Sequence, residues 1–241
     1  MIKNLFFVAV IALFSLGGFS QTTTCLWQGG TSSDWNDASN WLLCTTPTGY
    51  PDATSAVSLP FGTNNPVISS PLAYAYNISQ AGSDLTIQNG STLVVESIYN
   101  LYDGTLTVEG NLVLFNTSGD PATLNIGITN TTGDNGVAIV KPTGGVTIQT
   151  GNLDIGSAES NFSASSGSMT IEGGGSVTVG WNLFVASGES GPGGHQGTLL
   201  IEDGGTLTVN RNAFIGTGNG SGTVTNNGTM TVNGIPPAPA D

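Results

Sequence analysis

The sequence predicts an all-β protein that winds as a right-handed parallel β-helix, or β-solenoid, behind a short N-terminal cap. Glycine is abundant, with 36 residues, and charged residues make up only 8% of the chain. Apolar residues alternate with Thr in short stretches that are separated by Gly, Asn and Asp. Alternation of this kind is typical of half-buried strands. Because Glu, Lys and Arg are scarce, a helical bundle is disfavoured.

The charge of the chain excludes one class of partner. Only 3 Lys and Arg stand against 16 Asp and Glu over 241 residues. No basic surface is available to neutralise phosphates, so we expect no nucleic-acid partner. Without Lys3, which lies in the predicted signal peptide, the bases are Lys141 and Arg211 and the net charge is −14. Such a surface repels anions and attracts divalent cations.

Residues 1–20 are typical of a secretory signal peptide. Lys3 gives a positive start, residues 5–16 are apolar except for one Ser, and Gly18 and Ser20 place small residues before the cut. The apolar stretch is too short to span a bilayer comfortably, so we expect no membrane span after cleavage. The mature chain is therefore predicted to be secreted or held at the cell surface.

Residues 21–82 form a Trp- and Pro-rich region that we interpret as the N-terminal cap. Three of the four tryptophans lie here, Trp27, Trp35 and Trp41. They could pack over the open edge of the first coil, which would block edge-to-edge pairing. They could instead offer flat rings on which sugars stack.

Two small groups of residues within the cap region could stabilise it. Cys25 and Cys44 are the two cysteines, and in an exported protein they most simply form one disulfide. Asp34, Asn36 and Asp37 offer hard oxygen ligands, so a structural calcium ion is one interpretation. The alternative is a turn in which these side chains cap the backbone. We expect no other cofactor.

From residue 83 to 234 the chain repeats one phrase, which predicts about seven coils. The clearest copies are GSMTIEGGGSVTV at 167–179 and GTLLIEDGGTLTV at 197–209. Copies that start at 144, 167, 197 and 222 are 23, 30 and 25 residues apart. A unit of this length fits three short strands and three turns, and it can bury its inner face only by stacking on the next coil.

The alternation predicts which residues face the core. We expect a first inner ladder at Leu106, Val108, Val146, Ile148, Met169, Ile171, Leu199, Ile201 and Val224. We expect a second ladder at Val177, Val179, Leu207, Val209, Met230 and Val232. The pieces LFVA at 183–186 and AFIG at 213–216 supply a third apolar segment.

A β-meander or sandwich is the alternative fold. Asn89-Gly90 and Asn227-Gly228 are pairs that favour two-residue hairpins. Hairpins would join consecutive strands as antiparallel neighbours, whereas coils would place strands of successive repeats side by side. The length of the repeat unit favours coils.

The repeats resemble those of secreted β-helix proteins of Gram-negative bacteria, namely autotransporter passenger regions and the Gly/Thr-rich repeats of large surface adhesins. The phrase WQGGTSSDWNDASNW, followed by Pro-rich sequence and NPVI at 65–68, is similar to the start of many such proteins, where it caps the helix. The resemblance implies the surface of a Gram-negative-type bacterium, with glycans or host and cell-surface proteins as partners. These families often carry a C-terminal barrel or sorting domain, whereas this sequence ends in a Pro-rich tail at 235–241, which suggests truncation or a short stand-alone module.

Acidic residues at the ends of the first strands predict a stacked column of Glu109, Glu172 and Glu202. Parallel β-helices host polysaccharide lyases and hydrolases, and stacked carboxylates could hold a cation there. A lyase also needs a base, yet Lys141 and Arg211 lie in no motif. Solvated turns explain these acids more simply, so we expect no catalytic residue. His195 lies in a Gly/Pro loop without a second His or a Cys, which disfavours a metal site.

Outward threonines allow a third function. A regular Thr-x-Thr array is a device of ice-binding solenoids, although Thr also simply suits an exposed strand. The candidate pairs on one face are Thr105/Thr107, Ser168/Thr170 and Thr223/Thr225, and those on another are Thr206/Thr208 and Thr229/Thr231.

Together these features predict a non-enzymatic, secreted or cell-surface β-helix module that acts in adhesion or as a structural stalk. A polysaccharide lyase or hydrolase on the same fold is the alternative, and an ice-binding solenoid is the third hypothesis. The sequence leaves the oligomeric state open.

Overall fold

A computed structural model describes residues 23–62, 64–128, 134–156, 166–187 and 194–234. The predicted signal peptide and the Pro-rich tail lie outside these residues. The described chain is all-β, as predicted, with one short 3-10 helix at Ala38–Asn40. Its strands are β1 (Thr23–Trp27), β2 (Trp41–Leu42), β3 (Ser55–Pro60), β4 (Val67–Ile68), β5 (Ala73–Ala75), β6 (Asn77–Ala81), β7 (Leu85–Ile87), β8 (Thr92–Val95), β9 (Ile98–Val108), β10 (Asn111–Leu114), β11 (Ala122–Ile126), β12 (Asn135–Val140), β13 (Gly145–Ile148), β14 (Gly151–Ile155), β15 (Ser166–Ile171), β16 (Ser176–Val179), β17 (Leu183–Val185), β18 (Gln196–Ile201), β19 (Thr206–Val209), β20 (Ala213–Ile215), β21 (Ser221–Asn226) and β22 (Thr229–Val232).

The strands stack into three mostly parallel sheets, which we name A, B and C. Sheet A follows the order β2-β1-β3-β6-β9-β11-β14-β17-β20, and sheet C the order β5-β8-β10-β13-β16-β19-β22. Sheet B follows β4-β7-β9-β12-β15-β18-β21, so the long strand β9 pairs in A with its first half and in B with its second. Of these pairs only β1 with β2 is antiparallel.

Each coil visits sheet B, then C, then A. We number the coils by their strands: coil 1 is β4–β6, coil 2 runs from β7 to the first half of β9, coil 3 from the second half of β9 to β11, coil 4 is β12–β14, coil 5 is β15–β17, coil 6 is β18–β20, and coil 7 is β21–β22. The arrangement is solenoid-like. The stack reaches back past residue 83, because β1 and β3 already pair in parallel beside β6.

The Asn-Gly pairs do not form hairpins. Asn89-Gly90 lies between β7 in sheet B and β8 in sheet C, and Asn227-Gly228 lies between β21 and β22 in the same way. The strands that they join belong to different sheets, so a two-residue turn here makes a corner of the coil. The meander and sandwich alternatives are therefore wrong for the described residues.

The first ladder is confirmed on sheet B except at two positions. Leu106, Ala138, Met169, Leu199 and Val224 stand in register on successive coils. The second ladder lies in register on sheet C, but only its members on coils 5 and 6 are buried: on coil 7 Met230 is partly buried and Val232 is 43% exposed.

Val146 and Ile148 were assigned to the wrong ladder. They pair with Val177 and Val179 on sheet C, not with the sheet B strands. The reason is that coil 4 begins at Gly136, in register with Gly104 and Gly167, and its first strand, GVAIV, lacks the Thr that marks the other copies.

Glycines make the corner between sheets A and B tight enough for stacking. A Cβ on Gly167 of coil 5 would lie 2.2 Å from the carbonyl oxygen of Ile126, the last residue of β11 in coil 3. Gly156 has φ +63°, a conformation that favours Gly, and a Cβ there would lie 1.9 Å from the carbonyl oxygen of Gln196. Backbone therefore packs on backbone at this corner.

The described interior is largely apolar, and the buried Tyr99 hydroxyl has a hydrogen-bond partner. Tyr99 is fully buried and its hydroxyl donates to Gln80 Oε1 at 2.5 Å. The Gln80 amide donates in turn to the carbonyl oxygens of Ser83 and Thr105. Burial raises the pKa of the Tyr99 hydroxyl well above its ordinary value.

Candidate functional site

The three cap tryptophans form a buried cluster. Trp27, Trp35 and Trp41 are 1%, 0% and 8% exposed. The ring centroids of Trp27 and Trp35 each lie within 5 Å of that of Trp41, edge to face, at 4.9 and 4.8 Å. Trp41 Nε1 donates to the Trp35 carbonyl at 2.7 Å, and Trp27 Nε1 donates to the Asn64 carbonyl at 2.8 Å. No ring face is open to a sugar, so this arrangement favours packing of the cap.

The predicted disulfide between Cys25 and Cys44 is present. Cys25 lies on β1 and is fully buried beneath the cap, and the bridge closes a loop with a sequence separation of 19. That loop contains the 3-10 helix and β2, so the disulfide ties this part of the cap to β1 of sheet A.

The calcium candidates are engaged in local hydrogen bonds. Asp34 Oδ1 accepts from the Asn36 backbone N–H at 3.0 Å, and Asn36 Oδ1 accepts from Ser70 Oγ at 3.1 Å. Asp37 caps the 3-10 helix and accepts from the backbone N–H and the hydroxyl of Ser39. These hydrogen bonds, led by that of the Ser39 hydroxyl, lower the pKa of Asp37 below 3.8.

The side chains of Asp34, Asn36 and Asp37 thus act as turn and cap residues, and calcium binding stays a prediction. Within the described residues, no group of three or more His, Cys, Asp or Glu side chains is placed to hold a metal ion.

The acidic column exists, and it contains a base that the sequence interpretation missed. Glu109, Lys141, Glu172 and Glu202 each follow the last residue of a sheet B strand on successive coils. Lys141 Nζ lies 2.7 Å from Glu172 Oε1. The hydrogen bond and charge of Glu172, together with the charges of Glu109 and Glu202, raise the pKa of Lys141.

That these four residues share one row could have been found from their spacing, because each lies five positions after a glycine in its sheet B segment. Gly104, Gly136, Gly167 and Gly197 stand in register, which places Lys141 in the same row as the acids. The lysine neutralises part of the column's charge.

Arg211, the base that the sequence interpretation set beside the acids, does not converge with them. Glu172 and Glu202 lie at the corner between sheets B and C, whereas Arg211 lies between sheets C and A, just after β19. His195 is 1% exposed at the start of β18, and its carbonyl accepts from the Ser221 backbone N–H at 2.7 Å.

The outward threonines lie on two sheets of different regularity. On sheet C, Thr147, Thr178, Thr208 and Thr231 stand in register on four successive coils. On sheet B, the corresponding outward row is interrupted by apolar residues, Val137/Ile139 and Leu200.

A group of aromatic and amide side chains on sheet A was not predicted. Phe184 and Phe214 are paired on adjacent strands with ring centroids 5.0 Å apart and planes within 10°. The Arg211 guanidinium carbon lies 4.4 Å above the centroid of the Trp181 ring. An alignment of GNLDIG, WNLFVA and RNAFIG, each about 30 residues apart, is the signal that could have found these residues.

Comparison with known proteins gives one partial match. A family model described as Domain of unknown function (DUF8693) matches residues 26–141, which span most of the cap and the first coils. No curated protein matches the chain significantly. No solved structure matches it significantly.

The described residues contain no helix that is both long and apolar enough to cross a membrane.

Proposed function

We propose that the chain is a non-enzymatic module of the bacterial cell surface or exterior, which acts in adhesion or as a stalk. Its coils would wind as a right-handed β-helix, the usual hand of parallel crossover connections. The observation that carries this proposal is the continuous register of the coils. Because each coil buries its apolar face against the next, the outward side chains of successive coils stand in register as rows on a rigid support.

The charges of the described residues support a binding role over a catalytic one. The acid column is partly neutralised by Lys141, and its carboxylates follow one corner of the coil as a single row. General acid–base cleavage requires two groups that flank one bond, and a lyase requires an unprotonated base beside the acids. Lys141 lies beside the acids, but its ion pair with Glu172 raises its pKa and favours the protonated form, which cannot accept a proton. Arg211, the other base, lies at a different corner and stacks on Trp181.

A polysaccharide panel tests this proposal. Residues 21–241 are applied to immobilised glycans with and without calcium, and both retention and newly released reducing or unsaturated ends are scored. Retention without release is the expected result for an adhesive module. Release of ends would overturn the proposal in favour of the lyase or hydrolase. A stalk alone would give neither signal.

Ice binding is a second candidate, favoured by the outer face of sheet C. Ser176/Thr178, Thr206/Thr208 and Thr229/Thr231 give two adjacent rows of hydroxyls over coils 5–7, and no charged residue interrupts them. Neighbouring hydroxyls would be spaced about 4.8 Å between strands and about 6.6 Å along a strand.

An ice-recrystallisation assay decides this candidate. The substitution Thr208→Lys would abolish inhibition if the face binds ice, and Thr107→Lys on sheet B is the matched control. Equal activity of the two variants would exclude the sheet C face.

A further inference from the structure

We propose that the outer face of sheet A on coils 4–6 is a binding site for a neutral polysaccharide. The inference rests on the proposed adhesive function and names its surface and ligand class. It is carried by two rows of side chains that the stacking brings together. The first row is Asp154, Phe184 and Phe214, and the second is Asn152, Asn182 and Asn212.

The phenylalanines present aromatic surface outside the core. On β17 the flanking Leu183 and Val185 point inward and are fully buried, so Phe184 points outward. Phe214 is in register with Phe184 on β20 and points the same way, although its inward neighbour Ile215 is itself 44% exposed on this last described strand of sheet A. Phe214 is 37% exposed. On coils 3 and 4 the same row holds Asn125 and Asp154, which shows that the strand geometry does not require an aromatic residue here.

The amide row is held in a fixed orientation next to these rings. Asn152 Oδ1 accepts from the backbone N–H of Asn182 at 3.2 Å, and Asn182 Oδ1 accepts from the backbone N–H of Asn212 at 3.3 Å. Repeated once per coil, these contacts align amides with donors and acceptors along the aromatic strip.

The Arg211 guanidinium and the Trp181 ring lie next to the row of asparagines. Trp181 and Arg211 directly precede the two asparagines Asn182 and Asn212, and the guanidinium lies over the indole ring. Among the described residues, Lys141 is ion-paired with Glu172 but Arg211 forms no ion pair. Stacking on the indole leaves the guanidinium's N–H groups directed along its own plane, where they can donate to hydroxyl oxygens.

The chemistry of this face selects a neutral glycan. Phe184 and Phe214 cover one face of each other, so the apolar C–H face of a sugar would pack against the outer edges of the stacked pair. The rim of a sugar carries hydroxyls that both donate and accept, which suits amides, a carboxylate and a guanidinium. A polyanion is disfavoured by Asp154 and by the net charge of −14 that two bases and 16 acids give the chain after residue 20.

The size of the strip also favours a glycan over a folded protein. Three adjacent strands span about 10 Å across, and strands of 3 to 5 residues are about 10–17 Å long, so the strip offers an area of about 100–170 Å². A stable protein interface buries about 800 Å² on each partner.

Affinity electrophoresis of residues 21–241 through neutral polysaccharides, including a β-glucan, a mannan and a xylan, tests the site. The Phe184→Ala/Phe214→Ala variant should lose at least about tenfold in affinity. The matched control is Thr178→Ala/Thr208→Ala, an in-register outward pair on sheet C of the same coils, which should bind like the wild type. Phe214→Ala alone, at a more exposed position, gives a second variant whose folding is checked by denaturation.

Three outcomes are decisive. Loss in the aromatic variants but not in the threonine variant supports the site. Equal binding by the folded aromatic variants and the wild type overturns the site while leaving the adhesive function intact. If the wild type binds none of the neutral polysaccharides, the site is also overturned. The adhesion-or-stalk proposal itself fails only if the panel described above shows release of saccharide ends.

Discussion

In the first part of the cap, residues 23–50, contacts between chemically different groups hold the chain, whereas in coils 3–7 the same contact recurs from coil to coil. The cap uses one disulfide, three packed indoles and a buried Asn40, whose side chain bonds to Thr31, Ser32 and Asp34. The coils use rows of Gly, Leu, Ile and Val in register. Each cap contact is therefore made once, while each coil contact has copies on neighbouring coils. Single substitutions should be most costly in the cap.

Substitution of a cap indole should have the largest effect. Trp35→Ala removes a fully buried ring that contacts Trp41, and we expect it to lower the free energy of unfolding by about 4 kcal/mol. Chemical denaturation followed by tryptophan fluorescence measures this change. Phe61→Ala is the control, because Phe61 is 78% exposed and should change stability by less than about 0.5 kcal/mol. Similar losses in the two variants would show that the indole cluster does not anchor the cap.

Loss of the disulfide should come next. Cys25→Ala/Cys44→Ala opens a loop with a sequence separation of 19, which should cost about 3 kcal/mol. Reduction of the wild type before denaturation should give the same midpoint as the double variant. If both midpoints equal that of the oxidised protein, the bridge does not stabilise the cap.

A coil glycine should matter less than either cap feature. Gly167→Ala places a Cβ 2.2 Å from the Ile126 carbonyl oxygen, and the strand must shift, at a cost of about 2 kcal/mol. Gly194→Ala is the matched control, since no atom of the described residues lies within 4 Å of an added Cβ there. Thermal unfolding compares the two variants, and an unchanged midpoint for Gly167→Ala would contradict the close packing of the coils.

Acid should weaken the cap before the coils. The pKa of Asp37 is lowered by hydrogen bonds in the folded state, so its contribution is present above its unfolded pKa near 3.8 and is lost as pH falls through the lower folded value. Asp37→Asn should therefore flatten the dependence of cap stability on pH below about pH 5. Hydrogen exchange at cap amides checks this, and an identical pH dependence in variant and wild type would refute it.

The fold could be read from the sequence wherever glycine and alternating apolar residues both marked a strand. The copies at 167–179 and 197–209 carry both signals, and their ladders are as predicted. Coil 4 carries only the glycine signal, because GVAIV has no Thr, and Val146 and Ile148 were consequently placed on the wrong sheet. The alternation of apolar residues shows which residues of a strand face inward. The sheet to which the strand belongs follows only from knowing where its coil begins.

The candidate site was harder to predict because it depends on which residues of different coils become neighbours. Trp27, Trp35 and Trp41 have the composition of a sugar platform, yet they are buried. Phe184 and Phe214 lie 30 positions apart in ordinary apolar segments, and only the register makes them a stacked pair. Lys141 likewise joins the acids only through register.

Directed cross-linking tests the register most directly. In the solenoid-like stack, Thr178 and Thr208 are adjacent on sheet C, whereas Thr170 lies on sheet B away from Thr178. Thr178→Cys/Thr208→Cys should therefore form a second disulfide on mild oxidation, located by mass mapping beside the native Cys25–Cys44 bridge, while Thr170→Cys/Thr178→Cys should not. Cross-linking of the second pair and not the first would contradict parallel stacking and indicate hairpins.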